Sequence, residues 1–173
     1  MDTDHRSADV PVLTERRGKE QSRAGVEPEP VTRLTMALPA DERSRLRGHR
    51  RSSCGRDLVL QLRRGAALEP GEWLTTADGA VRVKVEAAPE PLLVVKAKAP
   101  VDLLQAAYHL GNRHVALQVG IQELRLLEDP VLADLLRLRG LQVERVVAPF
   151  LPEAGAYGNH AGAHGDAHQH GHE

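Results

Sequence analysis

Aromatic residues are nearly missing from this 173-residue chain, which holds one Trp, two Tyr and one Phe. Its cores must therefore be built from Leu, Val and Ala, and its strands offer no stacking platform of the kind on which single-stranded RNA is read. A single cysteine, Cys54, rules out an intrachain disulfide framework and fits a reducing compartment. The formal charge is only −1, so global electrostatics gives no argument for a polyanionic partner such as nucleic acid. No apolar run is long enough to span a bilayer, and the charged N-terminus has no secretory h-region, so a soluble cytoplasmic protein without membrane attachment is expected. Nor is there a nucleophile–base pair, a Gly-rich phosphate loop or a carboxylate dyad; no enzyme is expected.

What is abundant is histidine at one end. Of nine histidines, five lie in the last residues: His160, His164, His168, His170 and His172. They are separated only by Gly, Ala, Asp and Gln, a composition that cannot build a core. Neutral imidazole is the commonest ligand for borderline metals, and a string of imidazoles can gather a cation without a prebuilt cage. The tail points to transition-metal handling. Affinity alone does not choose the metal, because such sites prefer Cu2+ to Ni2+ while Zn2+ competes.

The fold class reads as α+β. Residues 1–30 are polar and punctuated by Pro and Gly, and are expected to be a disordered extension. Residues 31–89 read as an all-β domain with no helix. Its strands are placed at 31–38, 58–62 and 81–85, with Asp78-Gly79 as a type I′ hairpin turn. Val81, Val83 and Val85 alternate with Arg82 and Lys84. Pro89 and Pro91 suggest a hinge. Residues 90–150 then follow the order βαββαβ, the ferredoxin-like pattern. The first helix is expected to bury Leu103, Leu104, Ala107, Tyr108 and Leu110 and to stop at Gly111-Asn112. The second is expected to start at Asp129-Pro130, to bury Val131, Leu132, Leu135, Leu136 and Leu138, and to end at Gly140. Two helices cover only one face of such a sheet, so the other face must be solvated or covered by a partner, which suggests a homodimer. Residues 151–173 form the flexible His-rich tail.

Within the folded part His114 is the sharpest metal candidate, just past the first helix at the mouth of a strand. His109 falls opposite the leucine stripe and should face outward. One imidazole is too few for a closed site, but a twofold axis near residues 111–114 would double it. The tail histidines would reach the same ion by tethering. The arginine run from Arg43 to Arg51 is the densest positive patch, and Cys54 has no CxxC partner.

Three segments carry a family resemblance: residues 106–115 with Asn112-Arg113-His114, residues 132–136, and residues 149–158 with Gly155-Ala156-Tyr157-Gly158 before the His-rich end. Arg63-Arg64-Gly65 with Trp73-Leu74 and Asp78-Gly79 adds to them. From about residue 34 onward the chain resembles the urease accessory nickel metallochaperones, the UreE family. The resemblance implies a β-rich N-terminal domain that docks partner proteins and a ferredoxin-like metal-binding domain that dimerises. It implies that His114 of each subunit shares one Ni2+ at the twofold axis. It further implies nickel delivery towards apo-urease with the urease-maturation GTPase (UreG). His109 corresponds to a frequent family histidine. Some relatives carry further histidines between the third strand and second helix; here that stretch is Leu127-Glu128-Asp129-Pro130, without them. Two other readings are a His-rich metal buffer or storage protein with no client, and an RNA-binding module using residues 43–51.

Overall fold

The computed structural model describes residues 10–18 and 31–154. The N-terminal half contains β1 (Val12–Leu13), β2 (Glu15–Arg17), β3 (Thr32–Leu38), α1 (Ala40–Arg43), β4 (Arg47–Arg51), β5 (Asp57–Gln61), β6 (Trp73–Thr75) and β7 (Val81–Ala87). They form two sheets, ordered β1-β5-β4 and β2-β6-β7-β3. Both sheets feed one apolar cluster that includes Leu13, Met36, Leu58, Leu60, Leu74 and Val83. On β7 the expected alternation holds: Val81, Val83 and Val85 are buried, while Arg82 and Lys84 are half-buried on the other face.

Several expectations need correction here. Residues 10–18 are not a disordered extension, because β1 pairs in parallel with β5 and β2 pairs antiparallel with β6. Strands of two and three residues are too short to show a period in sequence. They are placed by long-range pairing and by Leu13, which is fully buried. The half is not purely β either. A single turn, α1, follows Pro39, and it too is shorter than any helical period. The Asp78-Gly79 turn joins the antiparallel pair β6–β7, but only Gly79 has positive φ (72°). A type I′ turn needs both residues there. Instead the Gly79 N–H donates to the Thr76 carbonyl at 3.0 Å, and Asp78 Oδ1 accepts from the Ala80 N–H at 3.0 Å.

The C-terminal half continues with β8 (Pro89–Lys96), α2 (Pro100–Gly111), β9 (Gln118–Val119), β10 (Leu124–Leu127), α3 (Pro130–Leu138) and β11 (Gln142–Pro149). The order is strand, helix, strand, strand, helix, strand, and the antiparallel sheet runs β11-β8-β10-β9. Its core joins Leu93, Val95, Leu124 and Leu126 from the sheet to Ala106, Leu110, Ala133 and Leu136 from the helices.

Pro89 and Pro91 are no hinge; they lie inside β8, paired with Pro149 and Val147 of β11. The Pro91 carbonyl accepts from the Glu128 N–H, so its nitrogen faces the same side, past the end of the β10 ladder. No ladder bond is lost there, which is why proline is tolerated. The two halves are also tied directly. Arg43 of α1 is buried and its Nη2 donates to the Phe150 carbonyl, while Glu90 Oε2 accepts from the Ala40 N–H at 2.9 Å.

The expected helix faces hold in part: Leu103, Ala107 and Leu110 of α2 and Leu132, Leu135 and Leu136 of α3 join the core, but the margins of each expected stripe do not. On α2, Ala106 and Leu110 are buried, whereas Leu104 and Tyr108 are 70% and 67% exposed. On α3, Ala133 and Leu136 are buried, whereas Val131 and Leu138 are 75% and 89% exposed. The buried alanines, Ala106 and Ala133, sit at the centre of each face, and the apolar residues beyond its margins are exposed. On the sheet face away from the helices, Leu92 and Val94 are buried as well, so the chain already covers part of the face expected to await a partner. Phe150, fully buried, begins a segment that turns back towards β9. Among the described residues no helix is long and apolar enough to cross a membrane.

Candidate metal centre

The end of α2 sets the geometry of His114. The His114 N–H donates to the Gly111 carbonyl at 2.9 Å, and the Val115 N–H donates to the Leu110 carbonyl at 3.2 Å. These 5→2 and 6→1 bonds are the pair that closes a Schellman motif, whose reversing residue is left-handed and usually glycine. Here that residue is His114, with φ of 56°, the sole positive-φ non-glycine among the described residues. The helix ends at Gly111 with Asn112 as its C-cap, as expected, but Asn112 has φ of −63° and the left-handed reversal follows at His114. Leu110 and Val115, which flank the closure, both join the apolar cluster and supply the hydrophobic contact typical of this cap.

The consequence is a side chain that is exposed yet carried on a fixed backbone. A left-handed L-residue costs about 1–2 kcal/mol, and strain of this kind concentrates at functional positions. The His114 side chain makes no hydrogen bond among the described residues, which leaves its ring nitrogens available to a cation.

His109 stays outside the core cluster and is half-buried, packed edge-on to the exposed Tyr108 with ring centroids 5.4 Å apart. Its carbonyl accepts from Arg113 Nη1 at 3.1 Å. Among the described residues no three His, Cys, Asp or Glu side chains gather closely enough to hold a metal ion. His114 and His109 are therefore not completed by other donors in the same described chain. His160, His164, His168, His170 and His172 lie outside the described residues.

Sequence reasoning missed how the tail is rooted. The Leu151 N–H donates to Gln118 Oε1 at 2.9 Å, and the Glu153 N–H donates to the Leu117 carbonyl at 2.7 Å. The last described residues thus run back to the strand that follows His114. Leu117 is three residues from His114 in sequence, a span of at most about 11 Å. Only Gln118, a polar residue in an apolar alternation, could have hinted at this contact.

The arginine run is largely spent on structure. Arg43 is buried; Arg45 pairs with Asp41 at 3.1 Å, Arg50 with Glu42 at 3.3 Å and Arg51 with Asp57 at 3.0 Å. Little of its charge is left for a nucleic-acid backbone. Cys54 is exposed, and hydrogen bonding, first with the Ser52 hydroxyl and then with the Arg56 backbone, holds its thiol below the usual range.

Comparison with known proteins agrees with this organisation. The family model "UreE urease accessory protein, N-terminal domain" matches residues 13–88, and the corresponding C-terminal domain model matches residues 90–173. A urease accessory protein UreE of Parasynechococcus marenigrum is 57% identical over 127 residues, covering 73% of this chain and 85% of the relative. That of Thermosynechococcus vestitus is 50% identical over 132 residues, covering 76% and 92%. One from Burkholderia lata is 46% identical over 139 residues, covering 80% and 63%. With both domain models and these relatives spanning most of its length, the chain belongs to the UreE family of urease accessory proteins.

Proposed function

We propose that this protein is a cytoplasmic nickel metallochaperone that supplies Ni2+ for assembly of the urease metallocentre. The family places it in urease maturation as an accessory protein, not a catalyst. The observation that carries the nickel reading is the left-handed, exposed His114, a strained histidine where glycine is the easy choice. A single exposed imidazole cannot close a site, so the second donor comes from a second copy across a twofold axis, making the working unit a homodimer. The ferredoxin-like reading of residues 90–150 supports this: the strand order and two helices on one apolar cluster leave sheet edges and exposed helix residues for self-association.

The tail supplies further ligands. Seven residues separate Glu153 from His160, at most about 25 Å of chain, so His160 can meet His114 from the anchored root. His164, His168, His170 and His172 act as capture ligands, and His109 is an auxiliary one. Exposed imidazoles exchange their ion readily, as delivery requires, whereas a closed four-ligand site would retain it. Cu2+ and Zn2+ bind the same donors, and cellular supply and partners decide in favour of nickel. The β-rich N-terminal half docks the partners, the urease-maturation GTPase (UreG) and apo-urease with its accessory complex.

Five tail histidines also favour a second reading, a metal buffer without a client. Truncation after Gly158 separates the two. Delivery predicts fewer bound ions with a surviving tight site and continued urease activation in a reconstituted system. Loss of nearly all nickel binding and no effect on activation would instead establish the buffer.

A further inference from the structure

A cleft of about 530 Å³ on the N-terminal half plays no part in the metal account. It lies between residues 14–17 and 62–65, and Arg16, Arg17, Arg63 and Arg64 line it, with Glu15 as the only acidic lining residue among the described residues. Arg16 is used internally. Its Nε and Nη2 donate to the two oxygens of Glu72 at 2.9 Å, while Nη1 and Nη2 donate to the carbonyls of Ala66 and Ala67 at 2.7 and 2.8 Å. This network clamps the turn that follows β5 onto β2. Arg17 meets Glu15 at 3.5 Å with both side chains half exposed, a weak pair.

Arg63 and Arg64 are exposed and have no carboxylate partner among the described residues. The N–H groups of Arg63, Arg64 and Gly65 have no acceptor among the described residues either. On the neighbouring strand Arg47 reaches only the Leu62 carbonyl, at 3.4 Å. Within the cleft, four arginines set against Glu15 and Glu72 leave two positive charges, and Arg47 adds a third. That excess is local, since the whole chain carries −1. An ordinary solvated face has mobile, separate cations; here the turn that presents them is held by the Arg16 network, so less is lost on binding.

We propose that this cleft, with Arg47, is the docking site for an extended, carboxylate-rich segment of a protein partner. The cations come from β2, the turn after β5 and β4, an arrangement that meets several carboxylates in a row, and planar guanidinium forks pair with carboxylates two bonds at a time. Among the described residues no aromatic ring lines the cleft, which disfavours nucleic-acid bases. The inference rests on the reading that the N-terminal half docks partners, and it assigns that role a place and a chemistry.

The test is fluorescence anisotropy of labelled oligoglutamate with the full-length chain at low salt and about pH 8, where tail imidazoles are neutral. R63E/R64E is expected to weaken binding at least about tenfold, R63K/R64K less, and binding should fall as salt rises. Truncation after Gly158 should leave peptide binding unchanged, nickel titration of R63E/R64E should match the wild type, and an unchanged urea-unfolding midpoint shows that the variant is folded. R47Q, a change on β4 rather than in the turn itself, is expected to give a second loss of several-fold. Equal peptide binding by wild type, R63E/R64E and R47Q would overturn the proposal. So would binding of tripolyphosphate or oligouridine, but not oligoglutamate, through the same arginines. Because nickel is read separately, failure of the metal assignment at His114 leaves this result interpretable, and the reverse also holds.

Discussion

Replacing His114 with glycine should make the metal-free protein more stable while removing its proposed function. The left-handed backbone at φ 56° costs an L-residue about 1–2 kcal/mol, with histidine near the lower end because it tolerates this region better than most. Glycine relieves that strain but adds about 0.5–1 kcal/mol of unfolded-state entropy. The net change for His114→Gly is therefore a gain between roughly zero and 1 kcal/mol. His114→Ala keeps the strain and loses the imidazole, so alanine should be less stable than glycine by about 1 kcal/mol, or roughly 2–4 °C in melting temperature for a chain of this size. At an unstrained position the order would be reversed, alanine leading by about 0.5–1 kcal/mol. Urea denaturation of both variants in chelator, followed by far-ultraviolet circular dichroism at several protein concentrations, reads the difference free of metal and assembly. If His114→Ala proved the more stable of the two, the Schellman closure at this position would be wrong. Its role in holding the imidazole would fall with it.

Three other perturbations test the packing. Leu110→Ala empties a fully buried site and should cost about 2–5 kcal/mol, whereas Leu104→Ala, on the exposed side of the same helix, should change the stability of the isolated chain by less than about 0.5 kcal/mol; similar losses would contradict the observed helix face. Arg43→Ala strands the Phe150 carbonyl and empties a buried space between the halves, so a loss of about 2–3 kcal/mol is expected by denaturant titration, and Arg43→Lys, lacking the planar fork, should recover only part of it. The Cys54 thiol is held low by Ser52, so at any pH below its ordinary range a larger fraction is thiolate. The pH midpoint of its alkylation should lie below that of a free thiol and rise towards it in Ser52→Ala.

What could be read in advance followed local chemistry. Asp129-Pro130 announced the start of α3, and Asp129 Oδ1 accepts the Leu132 N–H at 2.9 Å as an N-cap should. The Val81, Val83, Val85 alternation placed one strand face, and the change of period after Lys96 placed the helices. What escaped was decided by distant partners. Leu13 carries no local sign that it will be fully buried, α1 is one turn long, and Pro91 fits a strand only because β10 ends beside it. The helix faces were drawn too wide because leucine outweighs alanine in a hydrophobic pattern, so Leu104 and Leu138 were included while the buried Ala106 and Ala133 were passed over. His114 as a candidate metal ligand was legible from its motif. Its left-handed backbone was not, since nothing in Asn112-Arg113-His114 distinguishes a histidine that reverses the chain from one that merely follows a helix.

Calorimetric titration of nickel into the wild type and His114→Ala, with the mass of the assembly measured alongside, bears most directly on the account. It predicts one tight ion for each pair of chains in the wild type and none of that class in the variant, with weaker tail binding retained in both. An unchanged tight site in His114→Ala would contradict it.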